Sequence, residues 1–313
     1  MRSAVTGGAG FIGSHLVDAL VERGDDVLVI DDLSAGKEAN VTEAVGHGAK
    51  LERTDVTDAE RLLRLFERFR PESVFHLAAQ IDVRKSMADP GFDVRLNVLG
   101  TVNALEAASR TGASRFVFTS TGGAIYGEGE ERPDEVPFAE TARCEPDSVY
   151  GQSKLAAEGY VELYRRIRGL SAGTVRLGNV YGPRQDPATE AGVVAIFFEL
   201  ARDGGKPTVF GTGKQTRDYI YVEDVVAGLL AFEASTEPGP INIGTGVETD
   251  VLELVERIGP LFGRDDFEPQ LAPPRAGEIE RTALDTSLAE RVLGFKAERT
   301  LAQGLKSTFT VEV

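Results

Sequence analysis

Thr6-Gly7-Gly8-Ala9-Gly10-Phe11-Ile12-Gly13 decides how this chain folds. The apolar residues 2–6 before it read as a buried strand, and residues 11–23 after it carry a helical pattern. Three glycines between strand and helix meet three needs: a tight turn, close approach of backbone to a ligand, and packing of the helix on the strand. A helix that starts there leaves its first N–H groups free for phosphate oxygens. Val27-Leu28-Val29-Ile30 is a second strand, and it ends on Asp31 at close to the expected spacing of about 20 residues. A carboxylate at that place accepts hydrogen bonds from ribose hydroxyls and repels a 2′-phosphate, so the turn reads as a site for NAD rather than NADP. The competing reading is a glycine-rich turn with no ligand.

Outward from this turn the same rhythm repeats. Strands are expected near 49–53, at Ser73–Leu77, at Phe116–Ser120 and at Ala172–Leu177. Helices are expected at about 58–69, 92–111 and 148–168. Short apolar runs alternating with amphipathic helices mean βαβ units, hence an α/β fold of the Rossmann type with a doubly wound parallel sheet. Residues 127–147, rich in Gly, Pro and acids, read as a surface loop. Beyond 178 the segments shorten and Gly and Pro become denser. Residues 1–177 are therefore expected to form the dinucleotide-binding domain, rejoined by part of 218–235, and 178–313 a smaller α/β substrate lobe.

With 42% hydrophobic and 27% charged residues, the 313-residue chain has the composition of a globular protein large enough for two lobes. No apolar run approaches the ~18 residues of a membrane span, and the chain enters a strand at once, so neither membrane anchoring nor a signal peptide is expected. The formal net charge of −16 argues against nucleic-acid partners, which need a basic surface. An anionic ligand would instead need arginines gathered locally. One cysteine, Cys144, excludes an intramolecular disulfide framework and fits a cytoplasmic setting. Three scattered histidines, His15, His47 and His76, lack metal-ligand spacing, so no metal site is expected. His76 reads as a packed, hydrogen-bonded core residue.

Tyr150-Gly151-Gln152-Ser153-Lys154 places a tyrosine and a lysine one helical turn apart. Downstream of a dinucleotide turn they read as a proton-transfer pair facing a nicotinamide. A tyrosine near its ordinary pKa of ~10 is a poor base at neutral pH. A neighbouring ammonium and the positive nicotinamide ring are expected to stabilise its phenolate. Ser120 and Thr121 end the Phe116–Ser120 strand, where open parallel sheets place ligands. Either could supply a third hydroxyl, Thr121 being favoured; a strand-end hydrogen bond is the alternative.

Taken in order, TGGAGFIG at 6–13, HLAAQ at 76–80, STGGAIYG at 120–127, YGQSK at 150–154, GNVYGPRQDP at 178–187, RDYIYVEDV at 217–225 and PRAGE at 274–278 resemble the extended short-chain dehydrogenase/reductases. Within that family the chain is similar to the nucleotide-sugar epimerases, over essentially its whole length. The resemblance implies that Tyr150 is the catalytic base, Lys154 its electrostatic partner and Thr121 the hydroxyl on the sugar, with Ser120 as rival. It implies NAD held by Gly7, Gly10, Phe11, Ile12, Gly13 and Asp31 at the turn. Leu77, Ala78, Ala79, Gln80, Asn97, Ser120, Tyr150, Lys154 and Leu177 would complete that site. Asp32 joins the cofactor set against the alternative of a solvated loop acid. Asp55, with Val56, joins it against the alternative of capping the helix at 58. Asn179 would hold diphosphate or sugar, and Arg217 and Arg275 would clamp the diphosphate bidentately. For both arginines an ion pair to Asp218 or Glu278 competes.

The implied reaction is NAD-dependent 4-epimerisation of a UDP-hexose, UDP-glucose to and from UDP-galactose, through a 4-keto sugar. Relatives that eliminate water or decarboxylate carry acids just after the strand-end Ser/Thr; here Gly122 and Gly123 stand there. Thr282, short at a position where relatives limit sugar size, keeps UDP-GlcNAc open as a substrate, and UDP-glucuronate stays open too. A non-catalytic NAD sensor usually lacks the Tyr or the Lys, and this chain has both. By the same resemblance, the helices near 92–111 and 148–168 would pair two subunits in a homodimer.

Overall fold

The structure, a computed structural model, describes residues 1–188, 192–275 and 278–312, so Ala276 and Gly277 of the 274–278 stretch lie outside the described residues. In chain order the first elements are β1 (Arg2–Thr6), α1 (Phe11–Glu22), β2 (Asp26–Asp31), α2 (Thr42–Gly46), β3 (Lys50–Arg53), α3 (Ala59–Phe69), β4 (Ser73–His76), α4 (Val83–Ala88), α5 (Pro90–Val94), α6 (Gly100–Thr111), β5 (Arg115–Thr121), α7 (Gly122–Ile125), α8 (Val149–Arg168) and β6 (Ala172–Leu177). There follow β7 (Asn179–Tyr181), α9 (Val193–Arg202), β8 (Thr208–Phe210), β9 (Thr216–Tyr221), α10 (Val222–Ala234), β10 (Ile241–Ile243), β11 (Glu248–Asp250), α11 (Val251–Leu261), β12 (Gln270–Ala272), α12 (Ser287–Leu293) and α13 (Leu301–Glu312).

The chain divides into two compact units. The first comprises residues 1–121, 149–176 and 226–241; the second comprises 122–148, 177–225 and 242–313. Residues 122–148, which include the 127–147 loop, belong to the second unit, and so do residues 177–225. β9 lies in the second unit, and residues 226–241 belong to the first.

A sheet of order β3-β2-β1-β4-β5-β6-β10 organises the first unit. β1 pairs in parallel with β2 and β4, β2 with β3, and β4 with β5. The order reverses at β1, which makes the strand ends beside it the switch point where doubly wound sheets bind ligands. Both faces are covered, so the strands are apolar throughout: Ala4, Leu28, Ile30, Val74, Phe116 and Phe118 are buried with Leu62 and Phe66 of α3 and Ala104 and Ala108 of α6. α3 forms because Leu62, Leu65 and Phe66 share one face. The Asp58 carboxylate accepts the Arg61 N–H at its start.

The expected helix at 92–111 is three pieces: α5, a π-helical turn over Arg95–Leu99, and α6. A π-turn inserts one residue into the ladder and is frequent at functional sites. Here it carries Asn97, 1% exposed. The short helices α2 and α4 of the first unit are not expected from the sequence; α4 is capped by the Asp82 carboxylate on the Lys85 N–H. The second unit holds a sheet of order β11-β9-β7, with β7 parallel and β11 antiparallel to β9, and the parallel pair β12-β8.

Candidate active site

The glycine turn is built to leave room. Gly7 has φ +69°, and a Cβ there would lie 2.6 Å from the Ala78 backbone nitrogen. A Cβ at Gly13 would collide with the Gly7 carbonyl oxygen, and one at Gly10 would come within 3.2 Å of it. Phe11 and Ile12, half-buried, open α1. Asp31 is 7% exposed; it accepts the Ala9 N–H at 3.0 Å and the Leu33 N–H at 2.8 Å. Desolvation raises its proton affinity and these two bonds oppose the rise. Each carboxylate oxygen keeps a further lone pair for a ribose hydroxyl.

Asp32 is exposed and closes a turn on Ser34, taking its N–H at 2.9 Å and its hydroxyl at 2.6 Å. Asp55 is exposed as well and accepts the Thr57 N–H at 2.7 Å, whereas Asp58 is the cap of α3. Val56 is buried, and its carbonyl accepts the Asn103 side-chain N–H at 3.0 Å.

After β4 the chain runs through Leu77, Ala78 and Ala79, all half-buried, to Gln80, which is buried. Gln80 and Asn97 hold each other: the Gln80 N–H donates to Asn97 Oδ1 at 2.8 Å, and Asn97 Nδ2 donates to the Gln80 carbonyl at 2.9 Å. His76 is fully buried, with Nδ1 2.7 Å from Thr6 Oγ1 and Nε2 3.0 Å from Thr101 Oγ1. Burial, followed by the Lys154 charge, lowers its pKa to about 3, so it stays neutral.

α8 presents Tyr150 and Lys154 on one face. The Tyr150 N–H donates to Ser86 Oγ at 3.1 Å, which ties the start of α8 to α4. Lys154, 3% exposed, donates from Nζ to the Thr119 carbonyl at 2.9 Å and lies 4.8 Å above the Phe118 ring. Thr121 hydrogen-bonds the Tyr150 hydroxyl. Ser120, one residue earlier on β5, is buried, and its Oγ has no hydrogen-bond partner among the described residues. Successive strand residues face opposite ways, so only one of the two can meet Tyr150, and it is Thr121.

The expected lowering of the Tyr150 pKa is not what the protein side chains alone produce. Burial pushes the hydroxyl up to about 12; the Thr121 bond pulls it down and the Asp93 charge pushes it up again. Burial lowers Lys154 to about 8 against the opposing charges of Asp93 and Glu158. Asp93 and Glu158 escape the sequence reading. The only signal is spacing: Glu158 lies one turn beyond Lys154, and Asp93 one turn before Asn97.

In the second unit, Leu177 is 6% exposed, and Asn179 Oδ1 is buried without a hydrogen-bond partner among the described residues. A Cβ on Gly123 would lie 3.0 Å from that oxygen, and one on Gly122 2.5 Å from Leu284 Cδ2. Arg217 bonds the Thr216 carbonyl at 2.8 Å, and the exposed Arg275 stacks 3.7 Å from the Phe210 ring centre. Among the described residues neither guanidinium is in an ion pair. Asp218 is instead spent on Thr245, Gly246 and Leu284, and Glu278 on Gln215.

A parallel sheet with a glycine turn at its switch point and a Tyr–Lys pair beside the end of β5 defines the class of extended short-chain dehydrogenase/reductases. The chain belongs to the NAD dependent epimerase/dehydratase family, whose model matches residues 3–244. It is 44% identical over 311 residues to the UDP-glucose 4-epimerase of Mycolicibacterium smegmatis, covering 98% of this chain and 97% of that protein. It superposes with TM-score 0.93 on the UDP-glucose 4-epimerase of Thermotoga maritima solved with UDP-glucose, at 42% identity over 99% of this chain and 98% of that one. The UDP-glucose 4-epimerase of Thermus thermophilus, solved as a complex with NAD, also gives 0.93, at 40% identity over the full length of both chains. Among the described residues no helix is long and apolar enough to cross a membrane.

Proposed function

We propose that this protein is an isomerase that interconverts UDP-glucose and UDP-galactose by inverting C4 of the sugar through a 4-keto intermediate, with NAD as cofactor. The observation that carries this reading is the Thr121–Tyr150–Lys154 constellation followed by Gly122-Gly123. It can move one proton at a sugar hydroxyl, and it has no side chain just after Thr121 to eliminate water.

The first unit fits NAD. Gly7, Gly10 and Gly13 keep the backbone bare for a pyrophosphate, Asp31 has lone pairs for ribose, and buried Ser120 Oγ is still unsatisfied. Bound NAD supplies the acceptor and donor of the C4 hydride, and its positive ring favours the Tyr150 phenolate. Tyr150 takes the proton of the sugar 4-hydroxyl and later returns one. Thr121 steadies the phenolate through their hydrogen bond. Lys154, anchored on the Thr119 carbonyl, brings a positive charge one helical turn from Tyr150 on the same face of α8. In the second unit, Arg217 and Arg275 bring unneutralised guanidinium groups that suit a diphosphate, and Asn179 brings a free acceptor. That is the local positive charge which a chain of net charge −16 needs for an anionic substrate.

Purified protein incubated with UDP-glucose and no added NAD is expected to yield UDP-galactose by chromatography of the nucleotide sugars. Absence of product with and without added NAD overturns the assignment. Tyr150→Phe is expected to lose most activity and keep bound NAD. Thr282, small and 2% exposed, supports UDP-GlcNAc as a further substrate. Phe92, Val94, Leu99 and Tyr160 are exposed on α5, the π-turn and α8, and they support a homodimer formed through this face. The composition supports a cytoplasmic location.

A further inference from the structure

Asp93 sits on α5 with none of its surface exposed. Its Oδ2 accepts Gln80 Nε2 at 2.9 Å and Asn97 Nδ2 at 3.2 Å. Its Oδ1 is buried with no hydrogen-bond partner among the described residues. The two amides cannot swing away with it. Gln80 also donates to the Asp82 carbonyl at 2.8 Å and accepts the Asp82 N–H at 2.5 Å, and its backbone is locked to Asn97. A buried carboxylate oxygen left unpaired is costly, and a buried charge persists only near a compensating one. Asp93 has no ion-pair partner among the described residues, and α5 packs against α8, where Lys154 is buried.

We propose that Asp93 is a positioning residue of the active site: its buried carboxylate, held by Gln80 and Asn97 on α5 against α8, acts on the Tyr150–Lys154 pair and sets the pH range in which the pair works. This rests on the reading of Tyr150 and Lys154 as the proton-transfer pair.

The other charged groups on the packed elements do less. Glu158 on α8 acts on Lys154 in the same sense but is paired with Arg176. Asp82, ahead of α4, is shared with Lys85, and Arg95 of the π-turn is exposed. Glu106 on α6 is bonded to Tyr164 and lies 3.9 Å from Arg168. His76 on β4 is neutral, and β5 brings the uncharged Thr119 and Thr121. The Asp93 charge acts on both members of the pair: it opposes the lowering of Lys154 and adds to the raising of Tyr150.

Asp93→Asn separates charge from shape, because an amide oxygen can still accept from Gln80 and Asn97. Loss of the charge makes the phenolate easier and the ammonium harder to keep. Both limbs of the pH profile of kcat/KM are therefore expected to move to lower pH, by about one unit. The Tyr150 midpoint, read as the tyrosinate absorbance difference between Asp93→Asn and Asp93→Asn/Tyr150→Phe, is expected to fall by about as much against the matching wild-type pair. Asp93→Ser, smaller and neutral, carries the same expectation should the Asn variant fail to fold. Unshifted limbs and an unshifted tyrosinate midpoint in a folded variant would overturn the proposal. The absorbance titration needs no turnover, so it stands apart from the choice of substrate. A wild-type protein inactive on every UDP-sugar would count against the function and leave this test in force.

Discussion

Glu158 and Arg176 are joined by two hydrogen bonds, Nε to Oε1 at 2.9 Å and Nη2 to Oε2 at 2.6 Å, with side chains only 10% and 5% exposed. The pair links α8 to β6 one turn beyond Lys154. A buried ion pair contributes little beyond a well-packed apolar pair, but removing one partner strands the other charge, at about 3–5 kcal/mol. Arg176→Met should therefore lower the urea midpoint strongly, and Glu158→Gln/Arg176→Met should recover part of the loss. A double variant no better than the single one would show that Arg176 acts by packing alone.

The Thr121–Tyr150 hydrogen bond makes a sharper claim about β5. A hydrogen bond to a charged group is worth about 1.5–3 kcal/mol. Thr121→Val, nearly isosteric, is thus expected to lower kcat for UDP-sugar epimerisation by about tenfold to a hundredfold. Ser120→Ala removes a hydroxyl that bonds neither Tyr150 nor any other described group, and is expected to change kcat far less. Its effect should fall instead on retained NAD, measured after gel filtration. The opposite ranking in kcat would make Ser120 the reacting hydroxyl.

Much of the first unit can be read directly from residues, because each feature there is local. The glycine turn needs Gly7 at φ +69°, the Tyr–Lys spacing is one helical turn, and strands buried on both faces are continuous apolar runs. What escapes depends on tertiary context. Residues 92–111 look like one helix, yet Gly100 must pass so close to Val56 that a Cβ would lie 2.7 Å from Val56 Cγ2, and the chain takes a π-turn just before it. Asp93 is one of 50 acidic residues, and nothing in its neighbours announces complete burial. The Tyr150 pKa departs from expectation for the same reason: the Tyr–Lys spacing suggests charge stabilisation, but desolvation is the largest influence. In the second unit three-residue strands such as β7, β8 and β11 carry too few side chains for a period of two to stand out.

Gly13→Ala tests whether the turn must stay bare. The added methyl would collide with the Gly7 carbonyl, a backbone atom that cannot rotate away. The helix start must then shift and take its N–H groups off the phosphate line. Loss of bound NAD is expected, with a melting temperature reduced by several degrees. Gly159→Ala on α8, where a Cβ meets nothing within 4 Å, is the matched control and should retain both. Retention of NAD by Gly13→Ala would mean that the turn relaxes without disturbing the cofactor.

His76 should make the fold acid-sensitive. Its folded pKa of about 3 lies below the ordinary 6.5, so between those values the unfolded chain binds more protons and stability falls as pH falls. The slope this adds is about 1.4 kcal/mol per pH unit below 6.5. Two other buried groups act elsewhere on the scale. Lys154, lowered to about 8, makes stability rise between pH 8 and 10.5, and Tyr150, raised to about 12, makes it fall between 10 and 12. Asp31 and Asp218, both raised by burial, act in the opposite sense to His76 at acid pH, but they are shared by any variant at 76 and cancel in a difference. His76→Asn gives up the ring's contacts with Phe116 and Phe118, so it should be less stable at pH 7. Its urea midpoint should then drop less than that of the wild type between pH 7 and pH 5. Parallel curves for the two proteins would mean that His76 takes up its proton in the folded state and carries none of the acid sensitivity.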